Sequence, residues 1–122
     1  MRMNSVSFGY STDKLKETKG FYETYFDAKT VFEADGYMNL LIGNLPVVLE
    51  FSSPDVTGVE KSDCSGIGFN IDVDDVMSVY NDMVAKGVDI VMALEEYPWG
   101  EVGFAIKDPN GLTIYICTTI EA

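Results

Sequence analysis

The residues able to do chemistry are defined first by a gap: the chain has no histidine. Imidazole serves as general base, proton shuttle and metal ligand near neutral pH, so every mechanism that needs one is excluded, including Ser-His-Asp and Cys-His nucleophiles and HExxH zinc sites. Two cysteines, Cys64 and Cys117, are too few for a disulfide framework, and neither sits in a basic neighbourhood that would activate a thiolate. Gly66-Ile67-Gly68 has no Gly-Lys-Ser/Thr after it and is no phosphate loop. Asp72-Val73-Asp74-Asp75 lacks the glycine and closing glutamate of a calcium loop and reads as a charged helix start. What remains is a set of aromatic, aliphatic, amide and carboxylate residues suited to holding a ligand: Tyr37, Asn39, Glu50, Trp99, Val102, Phe104 and Tyr115.

Whether these residues meet depends on the elements that carry them. Val6, Phe8 and Tyr10 alternate with small residues and predict a strand. Ser11 and Thr12 are N-cap candidates for a helix over 13–27. Strands follow at 30–33, 37–42 and 45–51, broken by Asp35-Gly36 and Gly43-Asn44. The order is β-α-β-β-β. A polar stretch over 53–65 reads as a linker. The pattern then restarts with Ile67, Phe69 and Ile71 alternating with small or polar residues. A helix capped by Asp74 follows, bearing Val76, Val79, Tyr80 and Met83 and closed by Gly87. Strands at 88–92, 102–107 and 112–118 complete it, with Tyr97-Pro98-Trp99-Gly100 in a loop and Asp108-Pro109-Asn110-Gly111 in a turn. The expected class is α+β: one domain of two βαβββ modules, 1–52 and 66–122, curled mixed sheets with helices outside, repeating at roughly 60 residues.

Strand parity assigns faces. A two-residue turn at Gly43-Asn44 puts Tyr37, Asn39, Val48 and Glu50 together, away from the helix. In the second module, pairing Phe104 near Tyr115 adds Val102, Phe104 and Tyr115 to the non-helical face. This mixture suits a ligand cleft better than a sealed core; the bland alternative is a contact between sheets or between subunits.

The repeat, together with Pro98-Trp99-Gly100, Phe104, Asp108-Pro109-Asn110-Gly111 and Tyr115, and with Phe21-Tyr22 on the first helix, resembles the vicinal oxygen chelate superfamily, which includes glyoxalase I, extradiol dioxygenases, fosfomycin resistance enzymes and bleomycin resistance proteins. The resemblance covers nearly the whole chain. It implies metal ligands in the catalytic members: a His near the first strand of each unit and a Glu on the last. Carried over, those positions hold Ser7, Gly66, Glu50 and Tyr115. One carboxylate does not hold a catalytic metal, which takes about three protein ligands. The resemblance therefore points to the metal-free, bleomycin-resistance-like binders, with no cofactor, no catalytic residue and clefts shared in a homodimer. The alternative is a metal-dependent lyase, isomerase, dioxygenase or thiol transferase of the same fold.

Bulk properties narrow the partners. A formal net charge of -12 repels phosphate backbones and attracts cations; its bland reading is solubility alone. No apolar run approaches a membrane span, and no signal-peptide stretch opens the sequence. The expectation is a cytoplasmic homodimer that sequesters a partly aromatic, cationic small molecule and binds neither nucleic acid nor membrane, a role of the antibiotic-resistance type.

Overall fold

A computed structural model describes residues 1–120. The chain divides into two compact units, residues 1–63 and 64–122. Each is built on a four-stranded mixed sheet, and the order across the sheet is the same in both: the unit's first strand, then its fourth, third and second. The expected α+β class and the repeated βαβββ order are thus observed. No helix among the described residues is long and apolar enough to cross a membrane.

In the first unit, β1 (Phe8–Ser11) runs parallel to β4 (Val48–Ser52), and β3 (Tyr37–Leu41) pairs antiparallel with β4 and with β2 (Lys29–Ala34). Helix α1 (Leu15–Phe26) covers one face. Its Tyr22 is fully buried and stacks on Phe51 of β4, with ring centroids 5.5 Å apart, beside Met38, Leu40 and Leu49 in the core. Neither Ser11 nor Thr12 caps α1, whose N-cap is Lys14 with no side-chain cap bond: Ser11 is the last residue of β1, and Thr12 Oγ1 accepts the Lys14 N–H at 2.9 Å, ahead of the helix. Residues expected to form a linker fold back onto this unit. Ser53 accepts from the Asp55 N–H and starts the short helix α2 (Pro54–Thr57). Ser62 N–H then donates to the Ser11 carbonyl, and Ser11 Oγ to the Val59 carbonyl.

In the second unit, β5 (Gly68–Asp72) is parallel to β8 (Thr113–Thr119), and β7 (Glu101–Lys107) lies between β8 and β6 (Ile90–Tyr97). Helix α3 (Val76–Ala85) is capped by Asp75 rather than Asp74: the Asp75 carboxylate accepts from the Ser78 N–H at 3.2 Å. Gly87, at φ 88°, ends the helix as expected. Tyr80 and Met83 turn inward, and the Tyr80 ring meets Phe104 edge-on at 5.1 Å.

That contact corrects the face assigned to Phe104. Phe104 is fully buried and lies opposite Ile116, whereas Tyr115 lies opposite Ala105. By alternation Val102 shares the helix-facing side with Phe104. The cause is one residue in the turn. Asp108 N–H donates to the Leu112 carbonyl at 2.9 Å, so Pro109-Asn110-Gly111 forms the loop, with Gly111 at φ 89°. This is the type of hairpin loop that ends in a left-handed glycine. Relative to the expected four-residue turn over 108–111 it shifts the register by one, and a one-residue shift moves every side chain to the other face. Asp108 itself is buried and ties the turn by accepting from the Asn110 and Leu112 N–H groups at 2.8 and 3.1 Å.

Candidate functional site

Each sheet has one face under its helix and one face free of it, and the polar and aromatic candidates gather on the free faces. In the first unit Asn39 and Glu50 are cross-strand partners, with Tyr37 and Val48 on the same side. The expected grouping holds although the connection spans 42–47 rather than two residues, because the change in length preserves parity. Phe32 pairs with Asn39 and reaches the Tyr37 ring at 6.0 Å. Gly9 is the β1 partner of Glu50, and a Cβ there would lie 1.8 Å from the Glu50 carbonyl oxygen. Glycine is what lets β1 approach β4 this closely.

In the second unit the free face is an aromatic wall. Tyr97 and Trp99 stack nearly parallel, 4.8 Å between centroids and 5° between planes. Tyr115 stands edge-on to both, at 6.2 Å from Tyr97 and 6.1 Å from Trp99. The indole Nε1–H donates to the Tyr115 hydroxyl at 3.2 Å, and the Tyr97 hydroxyl donates to the Ala93 carbonyl at 2.6 Å. The wall is produced by the hairpin between β6 and β7. Gly100 N–H donates to the Tyr97 carbonyl, Gly100 takes φ 89°, and Pro98-Trp99-Gly100 makes the same kind of loop as the one after β7. The indole remains 57% exposed, while Tyr115 is almost wholly buried. Space for the Tyr115 ring comes from Gly103, where an added Cβ would lie 2.6 Å from the phenol.

Acidic groups border this wall. Glu101 accepts from the Cys117 thiol at 3.4 Å, and Asp72 accepts from the Thr119 hydroxyl at 3.1 Å. Burial, reinforced by Glu101 and Asp72, pushes the Cys117 thiol up to about 11. Burial also raises the Tyr115 phenol above its ordinary 10.0, against the opposing bond from Trp99. Both groups are therefore neutral at physiological pH, and neither is poised as a nucleophile or base.

Of the residues singled out from the sequence, the first sheet brings together Tyr37, Asn39 and Glu50, and the second brings together Trp99 and Tyr115. Val102 and Phe104 are not part of the free face. Sequence reasoning passed over Phe32, Tyr97, Glu101 and Gly103. The signal for Tyr97 and Glu101 was available: a loop of Pro-Trp-Gly sets its two flanking residues directly opposite each other, as is found.

A family model described as glyoxalase/bleomycin resistance protein/dioxygenase superfamily matches residues 4–116. The chain belongs to that superfamily. No curated protein matches the sequence. Among solved structures, a glyoxalase/bleomycin resistance protein/dioxygenase from Nocardioides is 16% identical over 100% of this chain and 87% of its own, with a TM-score of 0.82. A bleomycin-binding protein complexed with bleomycin is 22% identical, covering 96% of this chain and 99% of its own, with a TM-score of 0.70. A lactoylglutathione lyase from Agrobacterium tumefaciens is 17% identical over 97% and 96%, with a TM-score of 0.71. At these identities the superfamily's fold is shared with binders and enzymes alike.

The metal implied by the superfamily's enzymes does not fit the residues present. The strand neighbour of Glu50 is Gly9 and that of Tyr115 is Asn70, so neither position supplies an imidazole or a second carboxylate. The Tyr115 hydroxyl is engaged by Trp99 and stays protonated. Among the described residues, no three Cys, Asp or Glu side chains are grouped so as to hold a metal ion.

Proposed function

We propose that this protein reversibly captures a small, partly planar, cationic molecule and leaves it chemically unchanged. The observation that carries the reading is the half-exposed indole of Trp99, braced by Tyr97 and Tyr115 and bordered by Glu101. A flat aromatic ligand gains dispersion and stacking on such a surface, and a positive charge is favoured by the ring faces and the nearby carboxylate. Holding the indole by a hydrogen bond before the ligand arrives reduces the ordering cost of binding. Drug resistance by sequestration is a biological role consistent with this chemistry.

Capture proceeds in the cytoplasm by a homodimer. The support is the edge strand β2, which is exposed along its whole length and offers Val31 and Phe32 together with unpaired backbone groups. Two free cysteines, both buried, suit a reducing compartment.

A thermal-shift screen of glycopeptides, polyamines and planar aromatic cations, run with and without divalent metal, tests the reading. A compound that stabilises the protein without metal, and ceases to do so in Trp99→Ala, supports capture. Stabilisation that requires metal contradicts it and favours the metal-dependent lyase or dioxygenase alternative.

A further inference from the structure

We infer that the free face of the first sheet seats a cation bearing N–H groups, namely an amidinium, guanidinium or primary ammonium, between Asn39 and Glu50. This rests on the proposed capture of a cation and adds which kind of cation the first unit, taken by itself, selects. Asn39 and Glu50 face each other at the centres of β3 and β4, so their side chains stand side by side. Asn39 Oδ1 is shut off from solvent and meets no donor among the described residues. A carbonyl oxygen left in that state is costly, and the donor it lacks is one the chain does not supply, a water or a ligand N–H.

Glu50 is half-buried, and the ion pairs of the described residues, Lys19–Glu33, Lys61–Asp13 and Lys86–Asp82, leave it without a lysine or arginine. On its other flank Gly9 contributes no side chain. The result is two adjacent acceptors, one charged and one neutral, with Phe32 and Tyr37 beside them. Paired N–H donors on a planar cation satisfy both acceptors at once and form charge-assisted bonds to the carboxylate. A quaternary ammonium supplies charge but no N–H, and leaves Asn39 Oδ1 as it was.

The test uses the full chain, labelled with nitrogen-15, titrated separately with benzamidine and with phenyltrimethylammonium. Benzamidine is expected to shift the Asn39 side-chain amide and the Glu50 backbone signals, and to bind about tenfold or more tightly than phenyltrimethylammonium. Asn39→Leu is expected to remove that preference by weakening benzamidine alone, and Glu50→Gln to weaken both cations, benzamidine the more, because it deletes the charge that either one meets. Asn39→Leu should also raise the melting temperature of the unliganded protein, since it deletes an unsatisfied buried acceptor. Equal affinity for the two cations, or a benzamidine preference that survives Asn39→Leu, overturns the N–H seat while the capture of aromatic cations stands. If neither cation binds and planar dyes leave the Trp99 signal unmoved, both the seat and the capture reading fall.

Discussion

Cys117 and Tyr115 carry the residue-scale chemistry of the second sheet, and their protonation has a measurable consequence. An acid whose pKa is raised on folding holds its proton more tightly in the folded state. The stability this contributes is present below the ordinary value of 9.0 and is lost as pH rises towards about 11 for Cys117. Tyr115 shifts in the same direction from 10.0 and adds to the loss. Chemical denaturation at successive pH values should therefore show stability falling above about pH 9, less steeply in Cys117→Ala. In the folded protein at pH 8, a thiol reagent should modify Cys117 far more slowly than a free thiol, and denaturant should abolish the protection. Trp99 behaves differently because its indole is 57% exposed. Trp99→Ala is expected to leave folding nearly unchanged and to weaken capture of a planar cation by about 1–3 kcal/mol, read by calorimetry.

At the scale of elements, two glycines separate site from scaffold. A methyl group at Gly103 would meet the far end of the Tyr115 side chain, which can swing away. Gly103→Ala should therefore fold, lose the bond from Trp99 to Tyr115, change the indole emission and weaken ligand binding. At Gly9 the methyl group would meet backbone, the Glu50 carbonyl. Gly9→Ala should part β1 from β4 and lower stability by about 1–3 kcal/mol, as overpacking does, measured by thermal or urea melts. Phe104→Ala should cost about 3–5 kcal/mol of stability while the surviving folded molecules bind ligand as before, because the ring packs on Tyr80 and not on the free face.

The same elements show how far the sequence could be read. Strand and helix order was legible from alternation, from the apolar spacing on α3 and from glycine-bearing turns. Face assignment was legible only where turn length preserved parity. The connection over 42–47 left Tyr37, Asn39 and Glu50 together despite its greater length. At Asp108–Gly111 a single left-handed glycine reversed the faces of Val102 and Phe104. Local composition signals that a turn exists, but the register it imposes depends on one backbone conformation. The stack of Tyr97 on Trp99 and the slot made by Gly103 depend on three-dimensional neighbours that no spacing rule supplies.

For the whole molecule, charge acts at long range and the site at short range. A net charge of -12 should speed the arrival of a cationic ligand. Raising salt from about 0.01 to 1 M shortens the screening length from about 30 to 3 Å, so the association rate should fall while the stacking contribution persists. Light scattering at concentrations on the order of tens of micromolar should return the mass of a dimer; a monomer there contradicts the proposed assembly.

The most direct test of capture uses the chain's single tryptophan. Trp99 emission is titrated with a planar aromatic cation in the presence of a metal chelator, and the ligand is then dialysed out and examined by mass spectrometry. Capture predicts saturable quenching near one ligand per chain, full recovery of emission on dialysis and a ligand of unchanged mass. Quenching that appears only when a divalent metal replaces the chelator, or a ligand that returns chemically altered, contradicts it.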